Sequence, residues 1–544
     1  MPPPPPPSRS ARMAPDMWAV PLQLTDFNLT LALLGGFISL FGLVSFLLKE
    51  NYHLSEALIS LLVGVGFGPN GANLIRPNDY AQCRVQDAEC EGNLDAVTLN
   101  FSRLVLGVQL VLAGVQLPSR YLVVECKSLL LLVGPGMTCM WLATSLLVWL
   151  VVGTPSFLHA LAVGACVTPT DPVLSAVIVK GTFADQNIPP NLQHLIVAES
   201  GTNDGLGYPF LFLALYLIKY AGAGSTSGGV ADAMGLWLTM TWGYVILLSI
   251  LYGAVIGLLG RELLHWAERR NYVDRESFLV FSVALALFTL GTCGLIGTDD
   301  VLACFVAGNT FTWDDWFRMR TKDDSLQPTI DMLLNVTIFL WYGASLPWGS
   351  FVGSSVPLLS IGRLVVLGVL VLLLRRLPWV FGMRPWIHQI RQARQAIFVG
   401  FFGPIGVSAV FYLFISLEFI QEHLSDDDGV PRSDVKHLGE TIRVVVWFLV
   451  VCSIVVHGLS IPLGKVGYLA PRTFGRVLSE SLCEEPLTSV ARRRIPVFGK
   501  WLGRSKDGVM YTAVGDAHPD SPPPGAWEPD AGPSPSLPAA PSAG

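Results

Sequence analysis

Charge is scarce in this chain of 544 residues. Asp, Glu, Lys and Arg make up 14% of it, against roughly 25% in a soluble domain, and that shortage excludes a charged, solvated shell around one conventional core. Cysteine is thin as a framework. The nine cysteines show no metal-ligand spacing, and most stand singly in apolar runs, which reads as buried thiols. Cys83 and Cys90, in "QCRVQDAEC", fall in a segment placed outside the membrane, where their spacing fits either a disulfide or two free thiols. There is no solenoid-type repeat, and the start lacks the basic-then-apolar order of a cleaved signal peptide. The net charge of −6 sits in loops, and neither a nucleic-acid partner nor a cofactor is expected.

What the chain has instead is apolar length. Hydrophobic residues are 51% of it and the mean hydropathy is +0.52. Runs of roughly 20 apolar residues, long enough to cross the hydrocarbon core, recur almost throughout. About thirteen can be placed, near 28–48, 54–75, 100–117, 127–152, 157–180, 192–218, 235–260, 276–296, 299–313, 328–348, 359–382, 395–420 and 440–465, and the pair at 276–313 also reads as one broken span. The fold class expected is an all-α, polytopic, multi-pass membrane protein embedded in a lipid bilayer. The loops after 260, 313 and 382 carry Arg261, Arg269, Arg270, Arg275, Arg318, Arg320, Lys322, Arg384, Arg391 and Arg394. Basic loops stay in the cytoplasm, so the N-terminus is expected outside and Arg492, Arg493 and Arg494 inside. Residues 1–26 form a proline-rich start expected to be disordered, 27–470 the membrane domain, and 471–544 a cytoplasmic, largely disordered tail.

Polar residues inside the apolar runs carry the functional signal, because an unpaired carboxylate there costs on the order of 3 kcal/mol. In "ACVTPTDPVLSAV", Pro169 and Pro172 break the helix ladder around Thr168, Thr170 and Asp171. Freed carbonyls, threonine hydroxyls and a carboxylate make an all-oxygen shell for a hard cation; the alternative is a proline kink with a snorkelling Asp. In "LIVAESGTNDGLGYPF", Glu199 and Asn203 share a helix face and Asp204 follows. Two acids so close in low dielectric cannot both ionise cheaply, so one is a natural carrier of a proton or a cation. Glu199 also suits a structural role, bridging to another helix. The doublet Asp299–Asp300 in "GLIGTDDVLACF" points two ways, and one of the two also reads as a helix cap. Arg375 and Arg376 interrupt "LVVLGVLVLLLRRLPWV" and either pair with buried carboxylates or snorkel to the surface. Gly403, Pro404 and Gly406 break "FFGPIGVSAVFY" much as the earlier prolines break theirs. Two broken spans in corresponding halves point to an inverted-repeat transporter with its site at the midplane.

These residues are similar to a known group. "TDPVLSAV" followed by "AESGTNDG" resembles the cation/proton antiporter superfamily, in which an Asp of one span faces an Asn-Asp pair of the next. More narrowly, "DRESFLVF", "GTDDVLACFVAGNTFTWDDWF", "LRRLPWV", "IFVGFFGPIGVSAVF" and "VVHG" look like the fungal plasma-membrane sodium/proton antiporters, in order from about residue 25 to 470. The resemblance implies that Asp204 is the principal cation and proton ligand with Asn203 beside it, and that Asp171 and Thr170 form the facing side, Pro172 supporting. Asp299 and Asp300 match an acidic pair of the fungal branch that animal exchangers lack. Arg376, four residues before Val380, matches the superfamily's arginine, with Arg375 as the alternative. His457 matches a histidine of the fungal motif, though a histidine packed within the last span reads equally well. The implied protein is an inverted-repeat homodimer of the plasma membrane whose core domain moves against a dimerisation domain. It would exchange intracellular Na+, Li+ or K+ for external H+, serving salt tolerance and pH homeostasis; it would be a transporter and not an enzyme. The tail is shorter than in many budding-yeast relatives, and the proline-rich start has no recognised counterpart.

Two other classes compete. An intramembrane aspartyl protease also sets two Asp on neighbouring spans, but it needs a Tyr-Asp pair and a Gly-x-Gly-Asp turn where this chain has "TPTDP" and "TNDG". A cation channel or sensor would use rings of filter residues in place of single buried acids.

Overall fold

Backbone surrounded by lipid must satisfy its own N–H and C=O groups, and helix does this within one segment. The computed structural model describes residues 25–46, 54–80, 88–179, 188–225, 228–353, 356, 359–425 and 430–480, and among them regular structure is helical apart from one isolated bridge between Ser425 and Pro431. In chain order the main helices are α1 (Asp26–Phe46), α2 (Glu56–Phe67), α3 (Ala88–Gln116) and α4 (Cys126–Val152), the last with a π-helical stretch at Leu132–Gly136 around Pro135. Then come α5 (Phe157–Cys166), α6 (Pro172–Val179), α7 (Pro190–Gly205), α8 (Gly207–Ala221) and α9 (Val230–Arg269). The second half holds α10 (Arg275–Ile296), α11 (Asp300–Phe311), α12 (Leu326–Ser345), α13 (Ile361–Leu374), α14 (Leu377–Met383), α15 (Ala393–Phe401), α16 (Val407–His423) and α17 (Leu438–Glu480).

Helix occupies part of each apolar run seen in the sequence, but length does not establish thirteen spans. Among the described residues seven helical stretches are long and apolar enough to cross a membrane unaided. Interruptions account for much of the difference. The expected breaks are present, between α5 and α6 and between α15 and α16, and two more occur, at Leu206 between α7 and α8 and at Arg375–Arg376 between α13 and α14. Proline explains both additions. Pro209 and Pro378 have no N–H to give the carbonyls four residues earlier, on Gly205 and Leu374, so each ladder lapses there.

Close crossings hold the bundle. At the contact of α2 with α12, a Cβ on Gly64 would lie 2.1 Å from the Leu340 carbonyl oxygen, and one on Gly343 would lie 2.2 Å from that of Leu61. Only glycine lets the two backbones touch. The last helix runs to Glu480, through the boundary drawn at 470. Residues 1–24, Cys83, the Cys90 side chain and residues 481–544 lie outside the described residues, so the Cys83–Cys90 question and most of both terminal segments do too.

Candidate functional site

The breaks at 167–171 and 402–406 meet. The Asp171 N–H donates to the Pro404 carbonyl at 3.0 Å, joining the two interruptions directly. Each break frees carbonyls, and one side chain takes them up. Arg375, 2% exposed, donates from Nη1 to the carbonyls of Val167, Thr168 and Pro169 and from Nη2 to that of Gly403, with the Thr168 and Pro169 bonds at 3.2 Å. Asp171 does the converse for freed N–H groups. Its Oδ2 accepts from Leu174 N at 2.9 Å, and its Oδ1 from Val407 N at 2.9 Å and Ser408 N at 3.4 Å. One carboxylate therefore caps the N-termini of α6 and α16 together, where two helix dipoles favour a negative charge.

Thr170 and Asn203 are paired with each other. The Thr170 N–H donates to Asn203 Oδ1 at 3.1 Å, and Asn203 Nδ2 donates to Thr170 Oγ1 at 2.7 Å. Ser200 Oγ lies 3.3 Å from the hydroxyls of both Thr170 and Ser175. Glu199 faces Arg376, whose Nη1 and Nη2 donate to Oε1 and Oε2 at 2.5 and 2.7 Å. Arg376 Nε donates to the Val399 carbonyl at 2.9 Å, so this guanidinium is satisfied on both sides. Asp300 accepts from Nε of Arg103 on α3, and Asp299 caps α11 by accepting from Leu302 N at 3.0 Å.

Asp204 stands apart. It is fully buried, and among the described residues neither of its carboxylate oxygens has a hydrogen-bond partner at normal distance and angle; the Ser408 hydroxyl, itself without another partner, is the one polar side chain that faces it. Asp171 and Asp299 are the acids that act on it electrostatically. An isolated carboxylate in such a place is held at high cost unless it takes up a positive charge. Chemically it can carry a proton or a monovalent cation, one at a time.

Comparison with known proteins fits this arrangement. The model of the family described as "Sodium/hydrogen exchanger, transmembrane" matches residues 35–463. The chain belongs to that family. It is 36% identical over 460 residues to a Na(+)/H(+) antiporter of Zygosaccharomyces rouxii, a match covering 83% of this chain and 54% of the relative. It is also 36% identical over 453 residues to a Na(+)/H(+) antiporter of Saccharomyces cerevisiae, covering 82% of this chain and 44% of that protein. The chain thus spans about half the length of these curated relatives. A solved sodium proton antiporter of Methanocaldococcus jannaschii superposes with a TM-score of 0.55 at 16% identity, covering 81% of this chain and 98% of that one, a likeness of fold.

In this member of the sodium/hydrogen exchanger family, the residues singled out in the sequence come together with unequal roles. Asp204, Asn203, Asp171 and Thr170 share one buried cluster, yet Asn203, Thr170 and Asp171 already have protein partners and only Asp204 does not. The snorkelling readings fail for Asp171, Arg375 and Arg376, which are 0%, 2% and 3% exposed. The freed carbonyls expected to line a cation shell are instead held by Arg375. Pro172 starts α6. His457 is buried among polar neighbours: Nε2 lies 3.1 Å from the Phe401 carbonyl oxygen, and Nδ1 lies 2.9 Å from the Ser453 carbonyl oxygen and 3.1 Å from Ser453 Oγ. Sequence reading passed over Arg103 and Tyr412. Arg103 carried a signal, a lone charge near the start of an apolar run; Tyr412, one aromatic among many, carried none.

Proposed function

We propose that the chain is a secondary antiporter that exchanges intracellular Na+ for external H+ by alternating access. The observation that carries this reading is the contrast between Asp204, whose two carboxylate oxygens have no partner among the described residues, and the neighbouring acids Asp171, Glu199, Asp299 and Asp300, each of which has one. A proton and a cation that use one carboxylate exclude each other, and that exclusion couples their opposite movements. Li+ and K+ fit the same oxygen chemistry, and the fungal relatives named as Na(+)/H(+) antiporters support the sodium reading.

In this scheme the rigid frame is set by Arg375 and Asp171 at the crossed breaks and by the Glu199–Arg376 pair, so that Asp204 is carried between the two membrane faces on a core that keeps its shape. Work of this kind suits a homodimer in the plasma membrane, where an inward proton gradient expels the cation. The protease reading needs two acids sharing one water, and Asp171 is occupied by backbone donors. The test is cation-induced pH change in vesicles carrying the purified protein. Exchange that needs a gradient of either ion supports the proposal; conductance without counter-movement of protons refutes it.

A further inference from the structure

The helix carrying Asp204 is interrupted at Leu206, and the repair of that interruption comes from the other half of the molecule. Pro209 cannot donate to the Gly205 carbonyl, and α7 ends at Gly205, so the last carbonyls of α7 lack the donors of a continuous helix. Tyr412, on α16 and 1% exposed, donates its hydroxyl to the Asp204 carbonyl and also reaches that of Gly205 at 3.2 Å. The Tyr208 N–H is within hydrogen-bonding reach of the same phenol oxygen. A side chain thus stands in the ladder between the two half-helices, one of the recognised causes of a helix kink. Its approach depends on Gly207: a Cβ there would collide with the Tyr412 ring and with Pro169.

We infer that Tyr412 is a positioning residue for the transport site: its hydroxyl fixes the main chain of Asp204, and so sets where the unpartnered carboxylate sits relative to the crossed breaks. The inference rests on the antiport reading and adds to it a specific residue and a specific bond. Asp171 already ties α16 to the first break through Val407 and Ser408. Tyr412, five residues beyond Val407, ties the same helix to the break behind Asp204. Through α16, therefore, the cation carrier and the frame beneath it are held in register. Loss of the hydroxyl leaves the ring packing in place but frees the Asp204 peptide, and a site displaced from its productive geometry binds less well.

The experiment compares wild type, Tyr412→Phe and the double variant Tyr412→Phe/Pro209→Ala, purified and reconstituted in vesicles, by sodium titration of exchange at several pH values. Loss of one buried hydrogen bond predicts a half-saturating sodium concentration raised roughly fivefold in Tyr412→Phe. The pH profile at subsaturating sodium should shift with it, and the maximal rate should change much less. Alanine at 209 supplies the N–H that the Gly205 carbonyl lacks and lets α7 run on into α8, so that the Tyr208 N–H can hold the Asp204 carbonyl in place of the phenol, and the double variant should recover a good part of that affinity. A purely packing role predicts unchanged half-saturation with fewer active molecules, and that result overturns the inference, as does a double variant no better than Tyr412→Phe. If Tyr412→Phe does not fold, monitored by thermal unfolding, an unfolded double variant also counts against it. Exchange absent in the wild type would instead sink the antiport reading beneath it.

Discussion

Arg376 and Glu199 form a two-point ion pair inside the bundle, with their side chains only 4% and 2% exposed. Two charges so deeply buried are sustained by each other, and removing one strands its partner. Truncating one member of such a pair destabilises by about 3–5 kcal/mol. Arg376→Met and Glu199→Leu should each lower the unfolding temperature markedly, and the two combined should be less harmful than the sum of the two single changes. Thermal unfolding of the four proteins in detergent measures this coupling. Additive losses would show that the pair does not act as a unit.

Arg375 should be as sensitive as Arg376, for another reason. Its guanidinium reaches carbonyls in both crossed breaks, and a lysine, with a single ammonium, cannot fork to them all. Arg375→Lys is expected to keep the charge yet lose most exchange. Near-normal sodium-driven proton flux in that variant would count against the bridging role.

Asp204→Asn should abolish exchange while the protein remains folded. The carboxylate has no hydrogen bond of normal geometry among the described residues, and the Ser408 hydroxyl that faces it can serve an amide as well, so Asn removes a buried charge at little structural cost. The unfolding temperature should be equal or higher than in wild type. Asp171→Asn should instead lose stability as well as exchange, because the amide NH2 would face N–H groups of Leu174, Val407 or Ser408. Comparing the two unfolding curves separates carrier from cap.

The acidic doublet divides the same way. Asp299→Ala removes a helix cap, worth about 1 kcal/mol, whereas Asp299→Ser keeps an oxygen in that place and should restore most of the loss. Asp300→Ala leaves Arg103 without its carboxylate, and Arg103→Ala should reproduce its defect. Indistinguishable effects of Asp299→Ser and Asp300→Ala would contradict the separate roles.

If Asp204 carries both ions, as proposed, competition at a single carboxylate sets the pH dependence. Lowering the pH on the cation's side protonates Asp204, so more cation is needed to displace the proton. The half-saturating concentration should rise by up to about tenfold per unit fall once the acid is mostly protonated, and become independent of pH when it is mostly ionised. The maximal rate should hold. Sodium titrations at several pH values decide it, a falling maximum with constant half-saturation being the contrary result.

Composition and local pattern determined much of this protein. Scarce charge with recurring apolar runs leaves helix in a membrane as the stable solution, and proline inside such runs marks breaks without any knowledge of partners. The buried acids were likewise visible, because a carboxylate amid apolar residues stands out in one dimension. Which of them stands without a hydrogen-bond partner among the described residues was decided only by tertiary structure. The partner of Glu199 lies 177 positions away, at Arg376, and the amide that caps Asp171 from α16 lies 236 away, at Val407. Hydrogen bonding is short-ranged, and the chain brings such distant groups within 3 Å of each other through packing that no local pattern encodes. Arg375 shows the same limit: its neighbours in sequence suggest a span end, while the two breaks it joins keep it buried.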